Sequence, residues 1–298
     1  MKKFFSFAAI CALLISCGNK DNAEVVVDNP QADNAGLVVF NTGNPQVKKG
    51  ESNVLVNSIN HFSNGSYVGE GVIGGALMTK APVETKLVGR FVADAGTGTY
   101  TYTSGDLAGC TLIKQPGGSL LFTDPDGGKT NGSGTFTPGA PATDPVEVAL
   151  TGAHWKLSSI DAKVKDKNIS VNFNDKDGIN PNDVEKVAEY INKKGAKIPM
   201  EKVAGYYIKS ISLNPAPANS IIVEFEGNVK PIEGTWAPVI KSKTFSYKLN
   251  ASLDGQLFDA EASGKFDFEN NYQTLVLTMN AKADSGIADI IIKAKKIN

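Results

Sequence analysis

Gly264-Lys265-Phe266-Asp267-Phe268-Glu269-Asn270-Asn271-Tyr272-Gln273-Thr274-Leu275-Val276-Leu277-Thr278-Met279 decides the fold. Apolar and polar residues alternate on both sides of the Asn270-Asn271 pair, which is the signature of two half-buried strands joined by a tight turn. Paired as a hairpin, Phe266 and Phe268 share one face with Leu275, Leu277 and Met279. Strand patterning surrounds this hairpin, with runs at Tyr206 to Leu213, Ser220 to Glu226, Thr244 to Leu253 and a closing run from Ile287 to Lys293.

Toward the N-terminus the same pattern recurs in shorter pieces. Leu37 to Phe40, Asn53 to Asn57, Lys86 to Ala93 and the alternating Thr99-Tyr100-Thr101-Tyr102-Thr103 read as strands, and Asn64-Gly65 supplies a hairpin turn. Glycine and proline punctuate the region at Pro116-Gly117-Gly118, Asp126-Gly127-Gly128 and Asn131-Gly132, with no helical period. A stretch rich in Gly, Pro, Thr and Asp from Thr123 to Pro145 precedes an apolar run, Val146 to Leu150, that closes this region. One helix is expected, over 181–194. Asn180 caps it, Pro181 fits its first turn, Gly195 ends it, and Val184, Val187, Ala188 and Ile191 form its apolar stripe. The expectation is a mainly β chain with two antiparallel β domains, barrel- or sandwich-like. These are an all-β region over 37–150 and a second over 151–298 with its helix packed on the sheet.

The first residues carry a different message. Lys2 and Lys3 precede an apolar segment from Phe4 to Ile15, too short to span a bilayer and of secretory length. That segment ends in Leu14-Ile15-Ser16-Cys17, which resembles a bacterial lipoprotein signal. The resemblance implies cleavage after residue 16, lipidation of the Cys17 thiol and attachment to a membrane through the acyl chains. Residues 17–36 are polar enough to form a flexible tether with a mean span of roughly 20 to 25 Å. Gly18 is not the Asp associated with inner-membrane retention in enterobacterial lipoproteins, and Lys20-Asp21 is similar to part of the export signal of Bacteroidota surface lipoproteins. The expected address is the outer membrane.

Composition excludes several classes of function. Removing Lys2 and Lys3 takes the basic count from 30 to 28 against 31 acids, so the mature chain has no cationic excess to engage nucleic acid. Arg90 is the only arginine, which leaves one candidate for bidentate capture of a carboxylate or phosphate. With Cys11 in the signal and Cys17 lipidated, Cys110 has no partner for a disulfide. No Gly-x-Ser-x-Gly elbow, Walker loop, His-Glu-x-x-His helix or dinucleotide fingerprint is present, and no enzyme activity is expected.

The candidate sites are few. Gly152-Ala153-His154-Trp155-Lys156-Leu157 is similar to the Gly-x-Trp-x-Leu first strand of lipocalin-like and calycin-like domains, one residue longer between glycine and tryptophan. It implies a β-barrel whose tryptophan packs across the closed end. Trp155, Trp236, Tyr206 and Tyr207 are then the candidate contacts for a small apolar molecule or glycan in a barrel mouth or cleft. Asp175, Asp177 and Asp183 lie around Gly178 in the manner of a calcium loop, though a six-position EF-hand count places Phe173 first, where an oxygen ligand is required. A turn and a helix cap explain the same acids, and no cofactor is expected beyond that possible structural calcium. The sequence supports a non-catalytic, membrane-anchored envelope lipoprotein that binds such a ligand. The alternative is a structural or accessory lipoprotein docking on another cell-envelope protein.

Overall fold

The computed structural model describes residues 35–73, 83–94, 96–139, 143–164, 169–172, 179–193, 200, 205–214, 218–227, 229–253, 256–283 and 286–297. Cys17 and residues 17–34 of the expected tether lie outside the described residues, as do Asp175 and Asp177, whereas Gly36 already belongs to a strand. The chain divides into two compact units that meet in sequence at Pro145 and Val146. Each is a closed, eight-stranded antiparallel barrel.

The first barrel is built from β1 (Gly36–Thr42), β2 (Gln46–Lys49), β3 (Ser52–His61), β4 (Ser66–Ile73), β5 (Val83–Asp94), β6 (Thr99–Gly105), β7 (Thr111–Lys114), β8 (Ser119–Thr123) and β9 (Lys129–Pro138). Neighbours in sequence pair from β3 to β9, and β1 closes the ring by pairing with β9 on one side and β3 on the other. β1 reaches only the second half of β3, from Ser58 to His61, while β2 takes the first half. The break between them is sealed locally: Val56 N–H donates to Pro45 O and Asn44 Nδ2 donates to Val56 O, both at 2.9 Å. Lys49, at the end of β2, reaches the Lys86 carbonyl oxygen and ion-pairs with Asp106 at 3.4 Å, whose carboxylate also accepts Val88 N–H.

Eight strands enclose an interior just wide enough for side chains. Here it holds Val38, Val54, Val56, Ile59, Leu87, Phe91, Leu112 and Phe122 with the two tyrosines of the Thr-Tyr repeat, Tyr100 and Tyr102, while the repeat's threonines face outward as the alternation requires. The glycine-rich stretch after Thr123 is not only a connection: Lys129–Pro138 within it form β9, the strand that pairs with β1 to close the barrel. Its residues bury little, so periodicity cannot reveal it. Its glycines serve close approach instead. A Cβ at Gly132 would lie 2.3 Å from Thr42 O, and one at Gly134 would lie 2.3 Å from Leu120 Cδ1 and 2.5 Å from Val39 O.

The second barrel begins with a helix, α1 (Pro145–Thr151), where the sequence showed only an apolar run closing the preceding region. Leu150 is fully buried in the second core, so these residues belong to the C-terminal barrel. Then come β10 (His154–Val164), β11 (Ile169–Asn172), α2 (Val184–Lys193), β12 (Ile208–Asn214), β13 (Ser220–Phe225), β14 (Ile232–Val239), β15 (Thr244–Leu253), β16 (Gln256–Glu269), β17 (Thr274–Ala283) and β18 (Gly286–Ile297). β10 closes the ring, pairing with β18 along its length. On its other side it meets β12 only at His154 and Trp155, and β11 from Asp161 to Val164. The hairpin expected at Asn270-Asn271 is present in the expected register, with Phe266 opposite Leu277 and Phe268 opposite Leu275.

α2 starts later than expected. Asn180 does not cap it: Asn180 O accepts Asp183 N–H at 3.1 Å, with Pro181 at the second position of that turn, and Asn180 Oδ1 accepts Asn182 N–H at 2.9 Å. Asp183 is the N-cap, its Oδ1 accepting Lys186 N–H at 3.1 Å. The stripe Val184, Val187, Ala188 and Ile191 is buried in the second core, as the spacing predicts.

Gly134→Val should therefore lower stability by about 2 to 3 kcal/mol, because the overpacked seam must open to admit the side chain. The midpoint of urea unfolding measures it, and an unchanged midpoint would show that β9 does not pack closely on β1.

Candidate functional site

Trp155 and Trp236 belong to one buried cluster, with Tyr206 packed against its edge. Trp155 is 1% exposed, donates its indole N–H to Leu150 O at 3.0 Å and lies 6.0 Å from the Phe268 ring. Trp236 is equally buried and stacks on Phe245 at 4.7 Å, which in turn faces Tyr247 at 6.4 Å. Its indole N–H has no hydrogen-bond partner, the feature of this group that a bound acceptor would satisfy.

Tyr206 and Tyr207 are half-buried and occupied in holding α2. Tyr206 O accepts Val184 N–H at 3.4 Å, and its ring lies 5.8 Å from Phe225. Tyr207 bridges Asp183 through the backbone, and its hydroxyl accepts Asn180 Nδ2–H at 3.1 Å. The four aromatic candidates thus divide into two core tryptophans and two tyrosines that fasten a helix.

Asp183 divides its carboxylate between the helix cap and Lys186 Nζ at 3.3 Å. Among the described residues no group of three His, Cys, Asp or Glu side chains is placed to hold a metal ion. Asp124, in the other glycine-rich turn, accepts the backbone N–H groups of Asp126 and Gly128 at 2.9 and 2.8 Å, as turn chemistry requires.

The second barrel also contains a polar face that sequence reasoning missed. Ile211, Leu213, Ile221 and Val223 point into the core, so the alternate residues of β12 and β13 point the other way. That face is buried too, at Ser210, Ser212, Asn214, Ser220 and Glu224. Ser212 Oγ lies 2.8 Å from His154 Nδ1, Ser210 donates to Glu224 Oε2 at 2.6 Å, and Asn214 donates to Ser220 Oγ at 3.1 Å. Glu226, two residues on along the chain, is exposed, while Glu224 is 4% exposed and hydrogen-bonded. The Ser-x-Ser-x-Asn alternation was the available signal, but a buried polar face and a solvated one look alike in one sequence. Chemically the Ser212–His154 pair is a hydroxyl beside an imidazole, closed from solvent on both members.

His61 occupies the first core, 1% exposed, with Nε2 3.0 Å from the Tyr102 hydroxyl and Nδ1 3.3 Å from Gly36 O. Its ring lies 4.3 Å from Tyr100 and 4.7 Å from Phe91. Burial lowers its pKa to about 3, with Lys114 adding to the effect and the Gly36 carbonyl opposing it. The imidazole is therefore neutral at physiological pH and links β1, β3 and β6. Cys110 is 2% exposed, and burial pushes its thiol up to about 11, which removes the thiolate a nucleophile needs.

No protein-family model matches the chain, and no curated protein is similar to it in sequence. Solved structures show distant likeness. Transferrin-binding protein B of Haemophilus parasuis Hp5 aligns at 13% identity over 88% of this chain and 44% of that one, with a TM-score of 0.26. The isotype 1 transferrin-binding protein B of serogroup B Neisseria meningitidis aligns at 10% identity over 83% and 66%, with a TM-score of 0.24. The haemoglobin receptor HpuA of Kingella denitrificans aligns at 10% identity over 95% and 94%, with a TM-score of 0.22. This chain spans less than two thirds of the length of both transferrin-binding chains. The fold is established by the strand registers, not by these likenesses.

Two outcomes test the site chemistry. The folded pKa of His61 lies below its unfolded value of about 6.5, so the unfolded chain takes up the proton first as pH falls. Stability from neutral His61 is complete above pH 6.5 and declines toward pH 3, by about 4 to 5 kcal/mol in all. Urea titrations across that range should show this slope, and His61→Phe should remove it. Cys110 should resist iodoacetamide at pH 8 until denaturant unfolds the first barrel; labelling of the native protein would contradict its burial.

Proposed function

We propose that this chain is a non-catalytic, lipid-anchored protein of the outer membrane that acts through the outer surfaces of its barrels, docking on another protein of the envelope. The carrying observation is that inward-facing side chains make one continuous buried cluster in each barrel, with Trp155 and Trp236 both 1% exposed in the second. An eight-stranded barrel packed this way offers recognition at its rims and outer face. Cys17 is the lipidated residue in this reading, and the residues from 17 up to the start of β1 at Gly36 are the tether that lets the barrels reach a partner.

A second reading has its own observation. The unpartnered indole N–H of Trp236 fits a small apolar molecule carrying one hydrogen-bond acceptor, held beside Phe245 and Tyr247. Asp175, Asp177 and Asp183 remain the residues that a structural calcium would use.

The two readings separate in one pair of measurements. Photo-crosslinkers at Val83 and Val239, which are 58% and 55% exposed, should give a discrete adduct with one envelope protein in the native host. Native mass spectrometry of the purified protein should then give the mass of chain plus acyl groups. A reproducible small-molecule adduct that disappears in Trp236→Phe would replace docking with ligand capture.

A further inference from the structure

We infer that one end of the second barrel is a surface for anionic lipid headgroups. The strand registers define this end. Val239 pairs with Thr244, Glu269 with Thr274, Thr274 with Lys295, and Lys295 with Lys156, so the β14–β15 turn, the β16–β17 turn, the end of β18 and the start of β10 lie together.

Backbone strain marks the same end. Lys243, Asn270, Asn271 and Tyr272 have φ angles of 49°, 53°, 52° and 64°. Asparagine tolerates the left-handed region, so Asn270 and Asn271 make an ordinary tight turn, but Lys243 and Tyr272 occupy it at a cost. Glycine at position 272 would turn the chain with less strain. The turn sets the Tyr272 ring 5.2 Å from Phe268 while leaving the residue 38% exposed, and Val239 at the neighbouring turn is 55% exposed. Each presents apolar surface at this end.

Charge surrounds it. Lys156, Lys241, Lys243, Lys293, Lys295 and Lys296 lie in the rows and turns of this end. The acids in the strand rows and turns of this end are Asp267, bound to Lys243 at 2.6 Å, and Glu269, bound to Lys293 at 2.7 Å; Asp161, Glu233, Glu261 and Asp289 lie farther along the strands. Asp144 and Glu147 precede β10 in the chain. Lys156, Lys241, Lys295 and Lys296 have no acid at ion-pair distance among the described residues.

The chemistry favours lipid over protein. Protein interfaces deplete lysine, and six lysines gather at this end. Flexible ammonium groups suit mobile, unpatterned phosphate headgroups, and a part-exposed tyrosine at a turn suits the level where headgroups meet acyl chains. This surface is independent of an N-terminal lipid and is tested without one.

The test uses the mature chain from residue 17 onward, produced without the signal segment and carrying Cys17→Ser so that neither that segment nor an acyl group contributes, and sedimentation with vesicles of phosphatidylcholine alone or mixed equally with phosphatidylglycerol. Binding to the mixed vesicles, absent on phosphatidylcholine and released by high salt, is expected. Lys241→Glu/Lys295→Glu/Lys296→Glu should weaken it by roughly a hundredfold or more. Tyr272→Ser should weaken it by a smaller factor, and Lys48→Glu/Lys129→Glu on the first barrel should leave it unchanged. Unchanged thermal unfolding of each variant shows that the fold survives. Equal loss in the two lysine sets, or binding to soluble polyglutamate but not to the mixed vesicles, would overturn the inference.

Discussion

Closure of each sheet on itself is the constraint on which everything else depends. An open sheet of this length would present two edges of unpaired backbone, and a ring removes them. Both rings close through a strand that is shared. β3 divides its free side between β1 and β2, and β10 divides its own between β12 and β11. Closure fixes the interior volume, and that volume fixes which side chains fill it. The surface left for function is then the outer face, the rims and the turns.

Buried polar groups in the two units serve different ends. In the first barrel His61 sits among Phe91, Tyr100 and Tyr102, where one imidazole bonds a hydroxyl and a carbonyl at once and joins the closing strand to the interior. In the second, the interior is more aliphatic, and the polar pairs stand on the opposite face of β12 and β13. Neither arrangement leaves the exposed, base-activated group that covalent catalysis requires.

The legibility of the fold in the sequence depends on what stabilises each element. The Phe266-to-Met279 hairpin and the Thr-Tyr repeat of β6 were readable because one face of each is core, so alternation is imposed by burial. β9 was not, because its Lys-Thr-Asn-Gly-Ser-Gly run is held by backbone pairing on both sides and by the close approach that Gly132 and Gly134 permit. α1 was missed for another reason: seven residues are too few for a helical period to show, and Leu150 is fixed by tertiary contact with Trp155. Among site residues, the Gly152-to-Leu157 resemblance singled out Trp155 and placed it in a barrel interior, whereas Trp236 was singled out by type alone, and the packing shows both buried in the core. Ser210, Ser212 and Glu224 were hidden because an alternating polar face gives no sign of being covered.

The account stands on closed and filled barrels, and amide hydrogen exchange at the two seams tests that most directly. The N–H groups of β1 and β9, and of β10 and β18, should exchange only with global unfolding, as slowly as those of the central strands β5 and β15. Fast exchange confined to either seam under native conditions would show an open sheet with exposed edges, and would contradict both the architecture and the functional surface assigned from it.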